Sequence, residues 1–134
     1  MAKKLVPSLC PYCGVGCSYY FEVNEGRITG LEYTPEHPVT RGALCPKGNS
    51  VLEVIYHPDR LHYPLKKAKT GWQRVTWDKA LSEVASKIET FRDSFGANSI
   101  SFLASARCSN EENYVMQKLA RLIGTNNIDH CARI

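Results

Sequence analysis

Four of the six cysteines constrain this chain more than any other feature, and their spacing is Cys10-x2-Cys13-x3-Cys17-x27-Cys45. Two cysteines separated by two residues can point at one centre from a tight turn. A third, three residues on, closes a tripod, and the distant Cys45 completes a set of four thiolates. Soft thiolates select zinc, copper(I) or iron–sulfur clusters. Zinc more usually shows two matched knuckles that each bring a pair of ligands. Here the second half supplies a lone cysteine, an arrangement common for cubane clusters. Gly14 and Gly16 leave room between the ligands for a bulky inorganic core and permit positive φ. On spacing alone, structural zinc and a disulfide framework remain competing readings. The opening resembles a secretory signal for four residues only, because Pro7, Cys10 and Pro11 interrupt it before an apolar stretch develops. Reduced thiols and a cytoplasmic location are therefore expected. Cys108 and Cys131 are surplus to a four-ligand site and read as small buried hydrophobes. His37, His57 and His62 show no ligand pairing and read as solvent or turn residues.

The chain has 134 residues, 43% hydrophobic and 22% charged, which is globular material rather than a disordered tail. No apolar run approaches the roughly 18 residues of a membrane span, so no direct membrane span is expected. The net charge of +4 is an ordinary solvated surface. Lys66, Lys67 and Lys69 form too short a patch to argue for nucleic acid.

The expected fold class is α+β: a small cysteine-bearing domain with a β-hairpin over residues 1–60, then a linker and the incomplete start of an α/β region over 61–134. Residues 5–17 read as a Gly- and Pro-rich loop. Ser18–Val23 and Ile28–Tyr33 read as hairpin strands around the turn Asn24–Arg27, and Ser50–Tyr56 as a short helix stopped by Pro58. A basic linker is expected from Asp59 to Gln73. Thr76 is placed to cap a helix whose apolar residues, Trp77, Ala80, Leu81, Val84, Ala85, Ile88 and Phe91, recur at intervals of three and four until Gly96. A strand over Ser99–Leu103, a polar loop from Ala104, a helix over Glu111–Ile123 and a strand at Ile128–Asp129 follow. Val115, Met116, Leu119, Leu122 and Ile123 are expected to be that helix's buried stripe. One strand and two helices cannot bury their own faces, so the second half reads as the opening of a larger layer.

The cysteine set, Cys45-Pro46-Lys47-Gly48, Asn110-Glu111-Glu112-Asn113-Tyr114 and the run from Gly124 to Arg133 closely resemble the amino-terminal part of molybdopterin-dependent formate dehydrogenase catalytic subunits. The resemblance covers essentially the whole chain. The cluster motif alone marks the wider molybdopterin oxidoreductase superfamily; Asp129-His130-Cys131-Ala132-Arg133 tilts the reading from nitrate reductases toward formate dehydrogenase. The resemblance implies that Cys10, Cys13, Cys17 and Cys45 ligate a [4Fe–4S] cluster. It implies that Lys47 lies between the cluster and a pterin of a bis-molybdopterin guanine dinucleotide cofactor carrying molybdenum or tungsten, as both a catalytic and a cofactor-binding residue. Arg107 and Asn110 become candidate cofactor contacts, with Asn110 equally a candidate N-cap. The family's metal-binding cysteine or selenocysteine would follow Ile134, which implies a selenoprotein reading interrupted at that codon. Reversible interconversion of formate and carbon dioxide is the implied activity of the complete subunit, with this segment inactive alone. The implied partners are the remainder of that subunit and an iron–sulfur, flavin or hydrogenase subunit that exchanges electrons. A fragment of another molybdopterin oxidoreductase and a stand-alone iron–sulfur electron-transfer module are the alternatives.

Overall fold

The computed structural model describes residues 3–132, which form two compact units. The first runs to Pro58 and also includes Ser105–Val115; the second comprises Asp59–Ala104 and the chain from Met116 onward.

In the first unit, β1 (Lys4–Leu9), β2 (Ser18–Asn24) and β3 (Arg27–Tyr33) make an antiparallel sheet in that order. The turn residues Glu25 and Gly26 have φ of 49° and 79°, the doubly left-handed geometry that a two-residue hairpin loop requires. Residues 4–9 are a strand rather than the expected loop. β1 pairs on one side only, and Pro7, opposite Tyr20, is tolerated on such an edge because no inner ladder needs its missing N–H. The imperfect alternation of the hairpin has a cause as well. Glu22 faces Gly30 while Val23 faces Ile28, so Thr29 is a bulged residue that breaks the period of two.

Two short helices follow, α1 (Pro46–Asn49) and α2 (Val51–Tyr56). Periodicity pointed only to the second, because four residues are too few to show a period. Pro46 sits at the first helical position, where its missing N–H costs nothing. This segment is fastened to β3 by polar bonds. Tyr33 Oη donates to Asn49 Oδ1 at 2.8 Å, Asn49 Nδ2 donates to the Leu44 carbonyl at 3.1 Å, and Ile28 N–H donates to Tyr56 Oη at 2.8 Å. The core of the unit is Cys10, Tyr19 and Val51, with Tyr12, Cys17, Phe21, Leu31, Leu44, Leu52 and Ile55 packed around them.

In the second unit the expected linker contains a hairpin, β4 (Leu65–Lys67) with β5 (Trp72–Arg74), turned at Gly71 with φ 78°. Three-residue strands fall below the length at which alternation is visible. The helix α3 (Trp77–Phe95) begins where expected, with Thr76 Oγ1 accepting from Lys79 N–H at 3.3 Å, and it ends at Gly96. A 3-10 turn, Ala97–Ser99, displaces the next strand to β6 (Phe102–Ala104). α4 (Asn110–Ile123) then leads through Gly124, φ 98°, to β7 (Ile128–His130), which pairs parallel with β6. Their seam is closed by Thr125, only 1% exposed. Its Oγ1 donates to the Ile100 carbonyl and accepts from Asn127 N–H, both at 3.2 Å.

The expected burial of the helical stripes does not occur. No residue of α3 is buried, and on α4 only Ala120 is, while Leu122 is 75% and Phe95 70% exposed. A two-stranded sheet is too narrow to cover two amphipathic helices.

Replacing Thr125 by Val keeps its shape but strands the Asn127 N–H and takes from the Ile100 carbonyl one of its two donors, leaving Asn127 Nδ2 at 3.4 Å. Urea unfolding should show a loss of about 1–3 kcal/mol, with most of it recovered by Thr125→Ser.

Candidate metal centre

Cys10, Cys13 and Cys17 all belong to the loop between β1 and β2, and Cys45 immediately precedes α1. Cys10 is 4% exposed against Tyr19 and Val51; Cys13 and Cys17 are half-buried and Cys45 is exposed. The loop is closed at its mouth by Cys10 N–H donating to the Cys17 carbonyl at 2.8 Å. Gly16 turns it with φ 67°, a conformation that favours glycine.

The cysteines differ in their electrostatic surroundings. Burial pushes the Cys17 thiol above its usual range, and the neighbouring thiolates of Cys10, Cys13 and Cys45 push it further. Cys45 moves the opposite way, because the backbone N–H groups of Gly48 and Lys47 stabilise its thiolate and the Lys47 charge adds to them. Tyr19, desolvated and beside Cys10, is driven up to about 12, and its hydroxyl donates to the Leu9 carbonyl. A phenol so held is a neutral wall of the site. Gly48 closes the opposite side: a Cβ there would lie 3.4 Å from Leu44 Cβ and 3.7 Å from Cys10 Sγ. Three thiols from one loop and a fourth at a helix start offer a soft donor set, the chemistry that a cationic iron–sulfur core satisfies. Among the described residues no three side chains converge tightly enough to bind a single metal ion. Lys47 is exposed, and its ammonium has no hydrogen-bond or ion-pair partner among the described residues.

The segment Ser105–Val115 belongs to this unit. Asn110 does not cap α4. Ser109 does, in a reciprocal box: Glu112 N–H donates to Ser109 Oγ at 3.2 Å, and Ser109 N–H donates to Glu112 Oε2 at 2.7 Å. The Ser-x-x-Glu signature was visible in the sequence, and a polar Asn beside it drew the cap assignment away. Released from capping, Asn110 Nδ2 donates to the Gly14 carbonyl at 3.0 Å, inside the cysteine loop. Arg107 is exposed; its backbone N–H bonds Ser105 Oγ, and its guanidinium has no partner among the described residues. Cys108 is half-buried and Cys131 exposed, so neither is a fully buried hydrophobe. His130 Nδ1 accepts from Ala132 N–H at 3.2 Å. Arg133, Ile134 and the position expected to follow them lie outside the described residues.

Comparison with known proteins gives three findings. Residues 3–57 match the molybdopterin oxidoreductase Fe4S4 domain and residues 60–134 match the molybdopterin oxidoreductase family. The whole chain aligns with F420-dependent formate dehydrogenase subunit alpha of Methanocaldococcus jannaschii at 46% identity over 135 residues, which is 19% of that protein. It also aligns at 38% identity with the F420-dependent formate dehydrogenase 1 subunit alpha of Methanococcus maripaludis, again over 19% of its length. Among solved structures, acetylene hydratase from Pelobacter acetylenicus superposes with a TM-score of 0.72 at 26% identity, over 92% of this chain and 18% of that one. The chain spans about a fifth of the length of the curated relatives it matches. The α+β reading, with an iron–sulfur domain followed by molybdopterin oxidoreductase sequence, is borne out, as are a [4Fe–4S] cluster and a molybdopterin as cofactors.

The Ser109 amide and hydroxyl hold the Glu112 carboxyl below its usual range. Its folded pKa is depressed, so the capping contribution is present above the unfolded value and disappears as pH falls through the folded one. An NMR titration should place the Glu112 midpoint below about 4.3, and Ser109→Ala should raise it.

Proposed function

We propose that this chain, which belongs to the molybdopterin oxidoreductase family, carries the iron–sulfur relay of a formate dehydrogenase whose catalytic centre is completed by further residues of the same subunit. The single observation that carries the reading is geometric: the loop that bears Cys10, Cys13 and Cys17 lies against the helix that Cys45 precedes, where a Cβ at Gly48 would be 3.7 Å from Cys10 Sγ. The alignment of the whole chain with 19% of each of two formate dehydrogenase alpha subunits supports the choice of formate within the family.

Each residue then has a defined task. The four thiolates hold the cluster, with Cys10 anchored in the core and the Cys45 thiolate favoured by the Gly48 and Lys47 amides. Lys47, whose charge already reaches Cys45 and whose ammonium has no protein hydrogen-bond partner among the described residues, hydrogen-bonds the pterin. Its charge offsets the negative charge of two neighbouring redox groups, and so favours their reduced states. Arg107, exposed and with no side-chain partner among the described residues, supplies a second cation for the cofactor's phosphates or pterin edge. When bound, the molybdenum or tungsten cofactor supplies the two-electron exchange with formate and carbon dioxide, and the cluster passes electrons singly.

The remaining surface is consistent with this assignment. The uncovered apolar faces of α3 and α4 are the surfaces on which the rest of the subunit packs. Electrons leave to an iron–sulfur, flavin or hydrogenase subunit of a cytoplasmic assembly. No helix among the described residues is long and apolar enough to cross a membrane. The chain alone, without the remainder of the cofactor site, is inactive toward formate.

Formate added anaerobically to the oxidised full-length protein should generate the electron paramagnetic resonance signal of a reduced four-iron cluster. Nitrate-dependent reoxidation with no response to formate would instead favour a nitrate reductase. Lys47→Met should retain its iron and sulfide yet lower formate turnover on the order of a hundredfold, the scale of losing one preorganised charge. An unchanged rate would remove Lys47 from the relay.

A further inference from the structure

Among the described residues, the loop from Cys10 to Cys17 has one backbone hydrogen bond of its own, at its mouth. Its far end is held from outside. The Asn110 side chain, 96 residues away in sequence, donates from Nδ2 to the Gly14 carbonyl at 3.0 Å. The same amide sits close beside the Gly14 Cα. A Cβ at that position would sit 2.5 Å from Asn110 Oδ1 and 3.3 Å from its Cγ, so no other residue fits at position 14 while Asn110 is in place. Two independent features of the sequence, a glycine between two cysteines and an asparagine at the start of α4, therefore form one contact.

The start of α4 is built to present that amide. Ser109 and Glu112 satisfy each other's N–H groups, so Asn110 need not cap the helix, and Asn113 Nδ2 donates to the Ser109 carbonyl at 3.1 Å to brace the same turn. Every described peptide is trans. A Gly14 carbonyl aimed at Asn110 thus points the Val15 N–H the opposite way within the peptide plane, away from Asn110. That N–H has no acceptor among the described residues. Reduction potentials of iron–sulfur clusters depend on hydrogen bonds to the sulfurs and on solvent exposure, so the orientation of this peptide bears directly on the cluster between Cys13 and Cys17.

We propose that Asn110 is a positioning residue for the cluster: its amide fixes the Gly14–Val15 peptide and thereby holds the Cys13–Cys17 turn in its cluster-binding form. This rests on the reading that the four cysteines hold a four-iron cluster. It gives Asn110 a task toward the cluster rather than toward the pterin.

The test uses the full-length, cluster-loaded protein, purified without oxygen. Asn110→Ala deletes the donor and the packing; Asn110→Asp keeps the shape but replaces the donor with a carboxylate that repels the Gly14 carbonyl. Both should release iron to a chelator about three- to tenfold faster than wild type, the factor that one hydrogen bond is worth. Both should also alter the resonance line shape of the reduced cluster. Ser109→Ala is the control: it loosens the same helix start without touching Gly14, and should leave the line shape unchanged. Wild-type iron release and line shape in Asn110→Asp overturn the proposal, even if Asn110→Ala fails to load. An equal line-shape change in Ser109→Ala overturns it too, since helix fraying would then be the cause. A wild-type protein with no four-iron cluster defeats the underlying functional reading instead.

Discussion

Thiolates repel one another, and the proposed cluster site asks four of them to share one centre in spite of that repulsion. The cost is visible in Cys17, whose ionisation is disfavoured by burial and by the thiolates of Cys10, Cys13 and Cys45. Two devices hold the set in place. Cys10 is packed into the apolar core against Tyr19 and Val51, while Cys45 sits where the Lys47 and Gly48 amides favour its charge. The polar fastenings of Tyr33, Asn49 and Tyr56 tie the Cys45 segment to the hairpin, so that residues 28 or more apart in sequence act as one ligand set. A cationic core among the sulfurs turns the repulsion into attraction. The unit is in that sense folded around a charge that its own residues do not provide.

The second unit obeys a different constraint. Its backbone is well satisfied, from the Thr76 cap to the Thr125 bonds that close the β6–β7 seam. Its apolar surface is not: α3 buries nothing, and Leu103, Phe95 and Leu122 are largely exposed. Hydrogen bonds are local and can be completed within one βαβ crossover. Apolar faces need a partner layer of comparable width. This division explains why the elements formed where the sequence placed them while the expected burial did not follow.

What was legible in the sequence follows the same division. Long periodic signals with distinct ends, such as Thr76 to Gly96, survived intact, and the four-cysteine spacing supplied the candidate donors. Short elements did not register. Lys4–Leu9 was obscured by Pro7, and Pro46–Asn49, Leu65–Lys67 and Trp72–Arg74 are too brief to show a period. At the site, the missed features are contacts between distant residues: Tyr19 against Cys10, the Gly48 cradle, and above all Asn110 on Gly14. No local pattern announces a bond across 96 residues. The Ser109–Glu112 box was readable, and recognising it would have freed Asn110 for another role.

The most direct test of the account is the iron and acid-labile sulfide content of six single Cys→Ala variants of the full-length protein, with ⁵⁷Fe Mössbauer spectra to identify the cluster. Wild type, Cys108→Ala and Cys131→Ala should each retain a four-iron, four-sulfide cluster in this segment. Cys10→Ala, Cys13→Ala, Cys17→Ala and Cys45→Ala should each lose it or retain a degraded form. Zinc in place of iron, or loss of the cluster on replacing Cys108 or Cys131 with the other four left intact, would contradict it.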